Sequence, residues 1–462
     1  MMQDETFEIC PTYRREDFDF DKIQLDKNTP ITPNGEPLYP LKMHATHGSS
    51  FTYKVSNEWF FKRKLQDGKS PQKIFSQHHY NQAYNELYGT FDDLGEVIAY
   101  HLAQSIIDPQ TGKPILDVPE YKLATYLDEH QILYRGCASK NVCTRPTQRL
   151  RPMTYLVKEA GLTGNSIDVY MKALEKYVAR KGAICDFDLA HRTLVKNSAF
   201  SWKIGNSDNH NNNILILVED LPSGQTSVTI CPMIDNGSAY ELSVRYKNDE
   251  DKLRLDSLYS DDNFSRVDEN GNRNLLFSYY PYMHTAFHLE NDKLLIDNTS
   301  IAGKNYAYEY CLASEMFTDK KLYREIYEIE KQLNPQNAID KINELYGKSI
   351  KGSSRKIQWP PHLIEFMFAT NELKSKVLSY VVADYYLKVA FESCISDKNP
   401  QLLAELSKEF LNTPLQSSKE IYDNNFIALA SHYGVKIDKS KLEQLNFKKG
   451  DQMAKSIPEA NE

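Results

Sequence analysis

With 462 residues, 41% of them hydrophobic, the chain is long enough to bury a sizeable core and to form two or more lobes. Its formal net charge of −8 argues against nucleic acid as a direct partner, because binding to phosphate backbones requires a basic field. The start lacks signal-peptide features, no apolar run is long enough to span a bilayer, and the seven cysteines are scattered, so we expect a cytoplasmic protein with reduced thiols and no membrane partner.

The N-terminal part of the chain predicts an extended arm followed by a strand-rich region. Residues 1–43 are polar and rich in aspartate, proline and asparagine. From residue 44, aromatic and β-branched residues flank the small-residue turn Gly48-Ser49-Ser50. Such a turn can cover a phosphate, because glycine and serine let backbone N–H groups approach an anion, or it can be an ordinary solvated turn. The sequence leaves both interpretations open.

A lysine at a strand end and a glutamate on the following helix form a candidate nucleotide-binding pair. Lys62 ends the apolar strand that follows the turn. Residues 92–107 carry apolar side chains at helical spacing, and Glu96 borders that apolar face. In kinases a lysine of this kind contacts the α- and β-phosphates and pairs with a helix glutamate. The competing candidates are Lys54 and Lys64 for the lysine and Glu86 for the glutamate.

Two further strands and two helices precede the most informative stretch of the chain. The strands are predicted at residues 122–126 and 131–135, and the helices at residues 166–181 and 186–203. The second helix leads directly into a polar, asparagine-rich cluster that begins at Gly205.

Polar clusters flank two apolar, β-branched runs that predict a hairpin. The runs cover residues 214–218 and 228–234 and are joined by a Pro-Ser-Gly turn. The first cluster precedes its strand and the second follows its strand. Because these two ends lie side by side in an antiparallel hairpin, we expect Asp208, Asn213 and Asp235 to converge at one edge of a small sheet.

An aspartate, an asparagine five residues later and a second aspartate after a strand form the layout of a kinase phosphoryl-transfer site. In this layout Asp208 orients or deprotonates the acceptor hydroxyl. The side-chain oxygens of Asn213 and Asp235 hold Mg²⁺ on the nucleotide phosphates. A calcium-binding loop beginning at Asp208 is excluded, because its sixth position is Asn213 rather than glycine and an apolar strand fills its second half.

The residue order in the two polar clusters resembles the sequence motifs of bacterial HipA-like kinases, in the branch that also contains phosphatidylinositol-kinase-like proteins. The histidine follows the aspartate, as Asp208-x-His210, whereas ordinary protein kinases carry H-R-D with the histidine in front. The second cluster, Asp235-Asn236-Gly237, matches the D-N-G metal motif of that branch.

The resemblance extends over roughly residues 45–390 and implies an α+β, two-lobed protein-kinase-like fold. ATP and Mg²⁺ are then expected between a small β-rich lobe and a larger helical lobe. The resemblance further implies that Lys62 and Glu96 position the phosphates, and that His210 braces its loop rather than transferring protons. It also implies a crossing between the lobes at residues 136–142, with the adenine nearby.

Regulation and partners are also suggested by the resemblance. HipA-like kinases phosphorylate Ser or Thr of proteins, and several are toxins restrained by antitoxins, so an antitoxin or another regulatory protein is an expected partner. Some family members autophosphorylate a serine in the loop that corresponds to the small-residue turn, which extends this expectation to Ser49 or Ser50. The short stretch before the small lobe leads us to expect that the extra N-terminal subdomain of HipA is missing or shortened, which weakens the toxin interpretation.

These patterns divide the chain into five segments. They are an arm (1–43), a small ATP-binding lobe (44–136), a helical catalytic lobe (137–395), a C-terminal helical extension (396–447) and a disordered tail (448–462). A polar insertion at residues 246–273 stands where a kinase carries its activation segment, and it can equally be a solvated loop. The C-terminal helices are predicted at residues 313–332, 336–347, 361–395, 400–412, 417–432 and 438–446.

The sequence therefore predicts an ATP- and Mg²⁺-dependent kinase that phosphorylates Ser or Thr of a protein substrate. One alternative is a lipid or small-molecule kinase of the same fold, although this acidic chain shows little of the basic surface that a membrane-facing enzyme needs. The other is a pseudokinase that serves as an effector-binding scaffold. The presence of Asp208, Asn213 and Asp235 together argues against that interpretation.

Overall fold

A computed structural model gives the fold around most of these motifs. It describes residues 21–23, 51–54, 59–63, 92–127, 133–206, 211–241, 265–267, 273–275, 287–290, 293–296, 307–346, 349–350, 353–354, 361–396 and 399–445. The predicted features outside the described residues are the turn Gly48-Ser49-Ser50, Asp208, His210, the competing candidates Lys64 and Glu86, most of the insertion at 246–273 and the tail at 448–462.

A five-stranded sheet contains the strand that carries Lys62. Its strands are β1 (Asp21–Ile23), β2 (Phe51–Lys54), β3 (Trp59–Arg63), β4 (Tyr121–Leu127) and β5 (Leu133–Lys140), in the spatial order β1-β4-β5-β3-β2. Strand β1 runs parallel to β4, and the other pairs are antiparallel. A short piece of the predicted arm thus forms an edge strand of this sheet.

Helix α1, Asp92–Ser105, packs against β4 and β5. Its apolar side chains recur at helical spacing and are completely buried: Leu94, Val97, Ile98 and Leu102. Each such side chain contributes roughly 1.5–3 kcal/mol when it is removed from water. This packing fixes the rotation of the helix about its axis, and therefore the direction in which Glu96 points.

Strand β5 is longer than the sequence predicted. Residues 136–140 continue its ladder with β3, so that Cys137 stands opposite Lys62 and Lys140 stands opposite Trp59. The interpretation of this segment as a crossing between lobes is therefore wrong for residues 136–140, because they belong to a strand that pairs with β3 on one side and β4 on the other. The domain boundary predicted at residue 136 falls inside the strand, and the division into domains stays a prediction.

The predicted hairpin forms and gains a third strand. Strands β6 (Gln148–Pro152), β7 (Leu215–Asp220) and β8 (Thr226–Ile230) form an antiparallel sheet in chain order. Helices α2 (Met153–Glu159), α3 (Ile167–Lys181) and α4 (Phe187–Lys203) surround it. The side chains of Ser166 and Asp186 cap the N-termini of α3 and α4, which explains why both helices begin where the sequence predicted. Strand β6 and helix α2 were not predicted.

The C-terminal part is helical, as predicted. Its helices are α5 (Ala307–Met316), α6 (Lys320–Gln332), α7 (Pro335–Tyr346), α8 (Pro361–Ser393), α9 (Pro400–Phe410), α10 (Lys419–His432) and α11 (Lys439–Glu443). The single helix predicted over 313–332 is in fact two, because the Asp319 side chain accepts hydrogen bonds from two backbone N–H groups and starts a new helix there. Short strand pairs are β9 (Ser265–Val267) with β10 (Arg273–Leu275), β11 (Phe287–Glu290) with β12 (Lys293–Ile296), and β13 (Ser349–Ile350) with β14 (Ser353–Ser354).

The fold class is mixed, with a sheet-rich N-terminal part and a helix-rich remainder, and this confirms the α+β prediction at the level of class. A core of apolar side chains joins α1, β4 and β5 to the end of α4 and to α7. A second core holds α8 against the helices around it. Within the described part of the chain, none of the helices is both long enough and apolar enough to cross a membrane.

Candidate functional site

Three side chains from distant parts of the chain meet beside the first of these cores. The ammonium group of Lys62 lies 2.9 Å from Glu96 Oε1 and 2.7 Å from Asp235 Oδ1. The three come from strand β3, from helix α1 and from the segment after strand β8. Lys62 and Glu96 are in contact, as the predicted pairing requires, and the lysine is shared with the aspartate of the D-N-G motif; the nucleotide-binding role of the pair stays a prediction. We call these three residues the lysine–carboxylate cluster.

The cluster differs strongly in exposure from one member to the next. The Glu96 side chain is 1% exposed, whereas those of Lys62 and Asp235 are 20% and 25% exposed. The glutamate is therefore a fixed internal partner. The lysine and the aspartate keep a surface that a ligand can reach.

Burial dominates the electrostatics of Glu96. Removal from water raises the pKa of this carboxyl group from 4.5 to about 7, and the nearby Asp235 carboxylate acts in the same direction. The Lys62 ammonium and the backbone N–H of Asn236 act against this and lower the pKa. Two carboxylates thus share one ammonium group, which leaves the cluster with an excess of negative charge when both are ionised.

The D-N-G loop is held by the same glutamate. Glu96 Oε1 accepts from Lys62, and its other oxygen, Oε2, accepts a hydrogen bond of 2.7 Å from the backbone N–H of Asn236. Asp235 has a φ of +60°, a conformation that costs a non-glycine residue about 1–3 kcal/mol and persists only where the surroundings impose it. The Tyr121 hydroxyl accepts from the Asp235 backbone N–H at 3.4 Å.

Gly95 permits the close approach of helix α1 to this loop. A Cβ atom at this position would lie 2.4 Å from the carbonyl oxygen of Gly237 and 3.2 Å from that of Asn236. Real Cβ atoms essentially never come within 3.0 Å of another heavy atom in this way. The helix can therefore touch the loop backbone only because residue 95 has no side chain.

The asparagines around the predicted catalytic loop have separate tasks. The Asn206 side chain donates to Asn236 Oδ1 at 3.1 Å and to the Asp235 carbonyl at 3.4 Å, so it ties the start of the loop to the D-N-G motif. The Thr154 hydroxyl lies 2.8 Å from Asn211 Oδ1 and 2.6 Å from Asn212 Oδ1, and it can donate to one of them at a time.

Asn213 differs from these neighbours in its position. It lines a small cavity between helix α4 and the hairpin, together with Asn197, Ser198 and Met233. Its role as a metal ligand stays a prediction.

Asp208, His210 and the turn Gly48-Ser49-Ser50 lie outside the described residues. The described residues on either side of the catalytic loop, Asn206 and Asn211, are both anchored by hydrogen bonds.

Sequence reasoning missed four residues of the site: Gly95, Tyr121, Thr154 and Asn206. For Gly95 a signal was available, since an isolated glycine inside a helical pattern often marks a close packing contact. Tyr121 and Thr154 give no such signal, because their contacts are made with residues far away in the chain.

The donor chemistry fits a hard divalent cation. A carboxylate and an amide carbonyl are oxygen ligands of the kind that Mg²⁺ uses together with substrate phosphates. Within the described ranges no group of three His, Cys, Asp or Glu side chains stands ready to hold a metal on its own.

Comparisons with known proteins give the following. The chain matches no known family profile and no curated protein. Similar solved structures include the proinflammatory kinase CtkA of Helicobacter pylori, at 16% identity and a TM-score of 0.40, covering 79% of this chain and 98% of that chain. HipA of Shewanella oneidensis MR-1, solved with HipB and operator DNA, is similar at 13% identity and a TM-score of 0.36, covering 75% and 70%.

The family predicted from the two polar clusters is thus represented among these structural neighbours.

Proposed function

We propose that this chain is an ATP- and Mg²⁺-dependent kinase that transfers the γ-phosphate to Ser or Thr of a protein substrate. The observation that carries the proposal is the position of the Lys62 ammonium, within 3 Å of both Glu96 and Asp235. A lysine paired with a helix glutamate, next to a metal-binding aspartate, is the arrangement that protein kinases use to hold nucleotide phosphates. A two-lobed organisation, with the nucleotide between the sheet-rich and helix-rich parts, is part of this proposal.

Each member of the cluster has a distinct task in the proposed reaction. Lys62 donates to the α- and β-phosphate oxygens, and Glu96 fixes the direction of its ammonium group. Asp235 and Asn213 are the residues that would hold Mg²⁺, which neutralises the phosphate charge that develops during transfer. Asp208 orients the acceptor hydroxyl and accepts its proton, and His210 braces the loop.

The hydrogen bonds described above support this assignment through preorganisation. The D-N-G loop is fixed by Glu96 on one side and by Asn206 on the other. Charged and hydrogen-bonding groups stabilise a transition state most strongly when they need no rearrangement during the reaction. An antitoxin or other regulatory protein remains an expected partner.

A lipid or small-molecule kinase is the second candidate, because the same cluster serves these reactions equally well. The acceptor therefore has to be found by experiment. Purified protein is incubated with γ-labelled ATP and Mg²⁺ in three arms: a dephosphorylated protein extract, phosphatidylinositol vesicles and an aminoglycoside. The proposal expects label on Ser or Thr of proteins, mapped by mass spectrometry, and little in the other two arms.

Matched variants show whether the cluster is responsible. Lys62→Met removes the shared ammonium group and should reduce transfer at least a hundredfold. Lys140→Met removes an exposed lysine from the neighbouring strand β5 and should leave transfer unchanged. Transfer that goes only to lipid or aminoglycoside would favour the second candidate. Nucleotide binding without transfer in any arm would favour the pseudokinase scaffold.

A further inference from the structure

A buried polar cluster lies on the helical side of the candidate site. The side chains of Lys203, Tyr240, Asn371 and Lys374 are all at most 7% exposed. Buried groups of this kind are costly unless they are hydrogen-bonded or paired. They come from the end of helix α4, from the segment just after the D-N-G motif and from the long helix α8. We call them the buried anchor.

The two lysines hold the C-terminal end of helix α4. Lys203 forms an ion pair of 2.6 Å with Glu330 of helix α6 and donates to the Asn371 carbonyl at 3.0 Å. Lys374 donates to the carbonyl of Trp202 and stands 5.0 Å from the centre of its ring. Lys374 thus adds a positive charge beside the last turn of helix α4, which is a favourable position for a cation, and Lys203 is neutralised by Glu330. Helix α4 is therefore locked to α6 and α8 directly before the predicted catalytic loop.

Tyr240 connects the D-N-G segment to the same point. Its hydroxyl donates to Asn371 Oδ1 at 3.1 Å, and its backbone N–H donates to the Ile204 carbonyl at 2.7 Å. Its φ is +49°, a conformation that is unfavourable for a bulky side chain. Asp235, five residues earlier, has the only other positive φ among the described non-glycine residues. The loop from Asp235 to Tyr240 thus begins and ends on a strained residue that its contacts hold in place.

Asn371 joins both connections in one residue. Its backbone carbonyl accepts from Lys203, and its side-chain oxygen accepts from Tyr240. The start of the predicted catalytic loop and the end of the D-N-G loop are therefore fixed to a single position on helix α8. The hydrogen bonds of Tyr240 and Asn371 lie at the ends of these loops, so their effect on the reaction passes through the position of the loops.

From this geometry we propose that Tyr240 and Asn371 are positioning residues, whose hydrogen bond sets the D-N-G loop relative to the catalytic loop and thereby the place of Asp235. This inference deepens the proposed kinase function and rests on it for its catalytic consequence. Its structural part concerns the order of the loop and is testable without any phosphate transfer.

The test uses the full-length protein and three variants. Tyr240→Phe removes only the hydroxyl group. The double variant Tyr240→Phe with Asn371→Leu removes both partners, which avoids an orphaned buried acceptor and should restore much of any lost stability. Tyr385→Phe is the matched control. It removes a different buried tyrosine hydroxyl, which donates to Ser314. Tyr385 lies on helix α8 about 21 Å along the axis from Asn371.

Hydrogen exchange is the first readout and needs no activity. The peptide covering residues 235–241 contains the Asn236 amide bonded to Glu96 and the Tyr240 amide bonded to Ile204. We expect its exchange to be about tenfold faster in Tyr240→Phe and in the double variant, and unchanged in Tyr385→Phe, because about 1.4 kcal/mol corresponds to a factor of ten. Unchanged exchange in Tyr240→Phe would refute the positioning role, whatever the activity.

Kinetics is the second readout. Since Asp235 is the proposed metal ligand, we expect the KM for Mg·ATP to rise about tenfold in both Tyr240 variants, with the KM for the protein acceptor unchanged. If the KM for Mg·ATP returned to the wild-type value in the double variant as stability recovered, the hydrogen bond between Tyr240 and Asn371 would have a purely structural role, and the inference would be wrong. If the wild-type protein transferred no phosphate, the kinase proposal would fail, and the exchange result alone would decide whether Tyr240 orders the loop.

Discussion

Replacement of Gly95 by alanine should separate helix α1 from the D-N-G loop. The added Cβ atom would lie 2.4 Å from the Gly237 carbonyl oxygen, and ordinary van der Waals contact begins at 3.4 Å. The helix and the loop must therefore move apart by about 1 Å. The obstacle is backbone rather than the end of a flexible side chain, so rotation of a side chain cannot relieve it.

The size of the effect follows from two opposing terms. Alanine in the middle of a helix is more favourable than glycine by about 1 kcal/mol. An overpacked contact costs roughly 1–3 kcal/mol, and more where backbone has to move. Because the clash is with backbone, the cost lies at the upper end of that range, at about 3 kcal/mol, and we expect the free energy of unfolding to fall by about 2 kcal/mol. The same shift would lengthen the bonds of Glu96 to Lys62 and to the Asn236 N–H, now 2.9 and 2.7 Å, beyond hydrogen-bond range.

Urea denaturation measures the stability, and titration with Mg·ATP measures the site. The control is Ser105→Ala in the last turn of the same helix, which adds no clash. It removes only the hydrogen bond from the Ser105 hydroxyl to the Leu102 carbonyl, so it should alter stability by no more than about 1 kcal/mol. If Gly95→Ala were as stable as the wild-type protein, or more stable by the helix-propensity term, the close approach of helix and loop would be refuted. We expect Mg·ATP binding to weaken together with stability, because the displaced loop carries Asp235.

Three further predictions concern the site itself. Asp235→Ala should keep the fold and abolish Mg²⁺-dependent ATP binding, while Asp208→Ala should keep ATP binding and lose transfer; wild-type turnover in Asp235→Ala would rule out the metal assignment. Burial raises the pKa of Glu96 to about 7, so between about pH 4.5 and 7 the folded protein keeps a proton that the unfolded chain has released. The contribution of Glu96 to the free energy of unfolding therefore falls as the pH rises from 4.5 to 7. Glu96→Gln should remove this pH dependence of stability, which amounts to about 3 kcal/mol at most. Urea denaturation of both proteins at a series of pH values from about 4.5 to 8 measures it. If stability depended on pH in the same way in both proteins, the raised pKa of Glu96 would be contradicted. Substitution of Ser49 or Ser50 by aspartate should weaken ATP binding, because the added negative charge repels the triphosphate, whereas substitution by alanine should not. Equal ATP affinities of the aspartate and alanine variants, with no phosphate on either serine of the wild-type protein after incubation with ATP, would favour an ordinary turn.

The sequence by itself determined the local elements of this protein. The hairpin of β7 and β8 follows from two β-branched runs around a turn, and Gly224, with φ of +82°, supplies the conformation that the turn needs. The starts of α3 and α4 follow from their capping residues Ser166 and Asp186. These features depend on residues close together in the chain, so their patterns are legible without a structure.

The pairing of Lys62 with Glu96 was predicted from a family resemblance, with other lysines and another glutamate left as competitors. Only the tertiary structure showed that Lys62 and Glu96 are in contact, and it added that the same lysine reaches Asp235. Likewise, the sequence did not show that residues 136–140 complete a sheet with β3, because apolar pattern alone does not say which strand a segment will join.

The contacts that preorganise the site were decided entirely by packing between distant segments. Gly95 lies against Gly237, and Tyr240 bonds to Asn371, across separations of more than a hundred residues. Such contacts depend on how whole helices pack against one another. Neither the space that Gly95 leaves for the loop nor the direction of the Tyr240 hydroxyl produces a periodic pattern in the sequence. In both cases the partner residue comes into contact only when the core has formed.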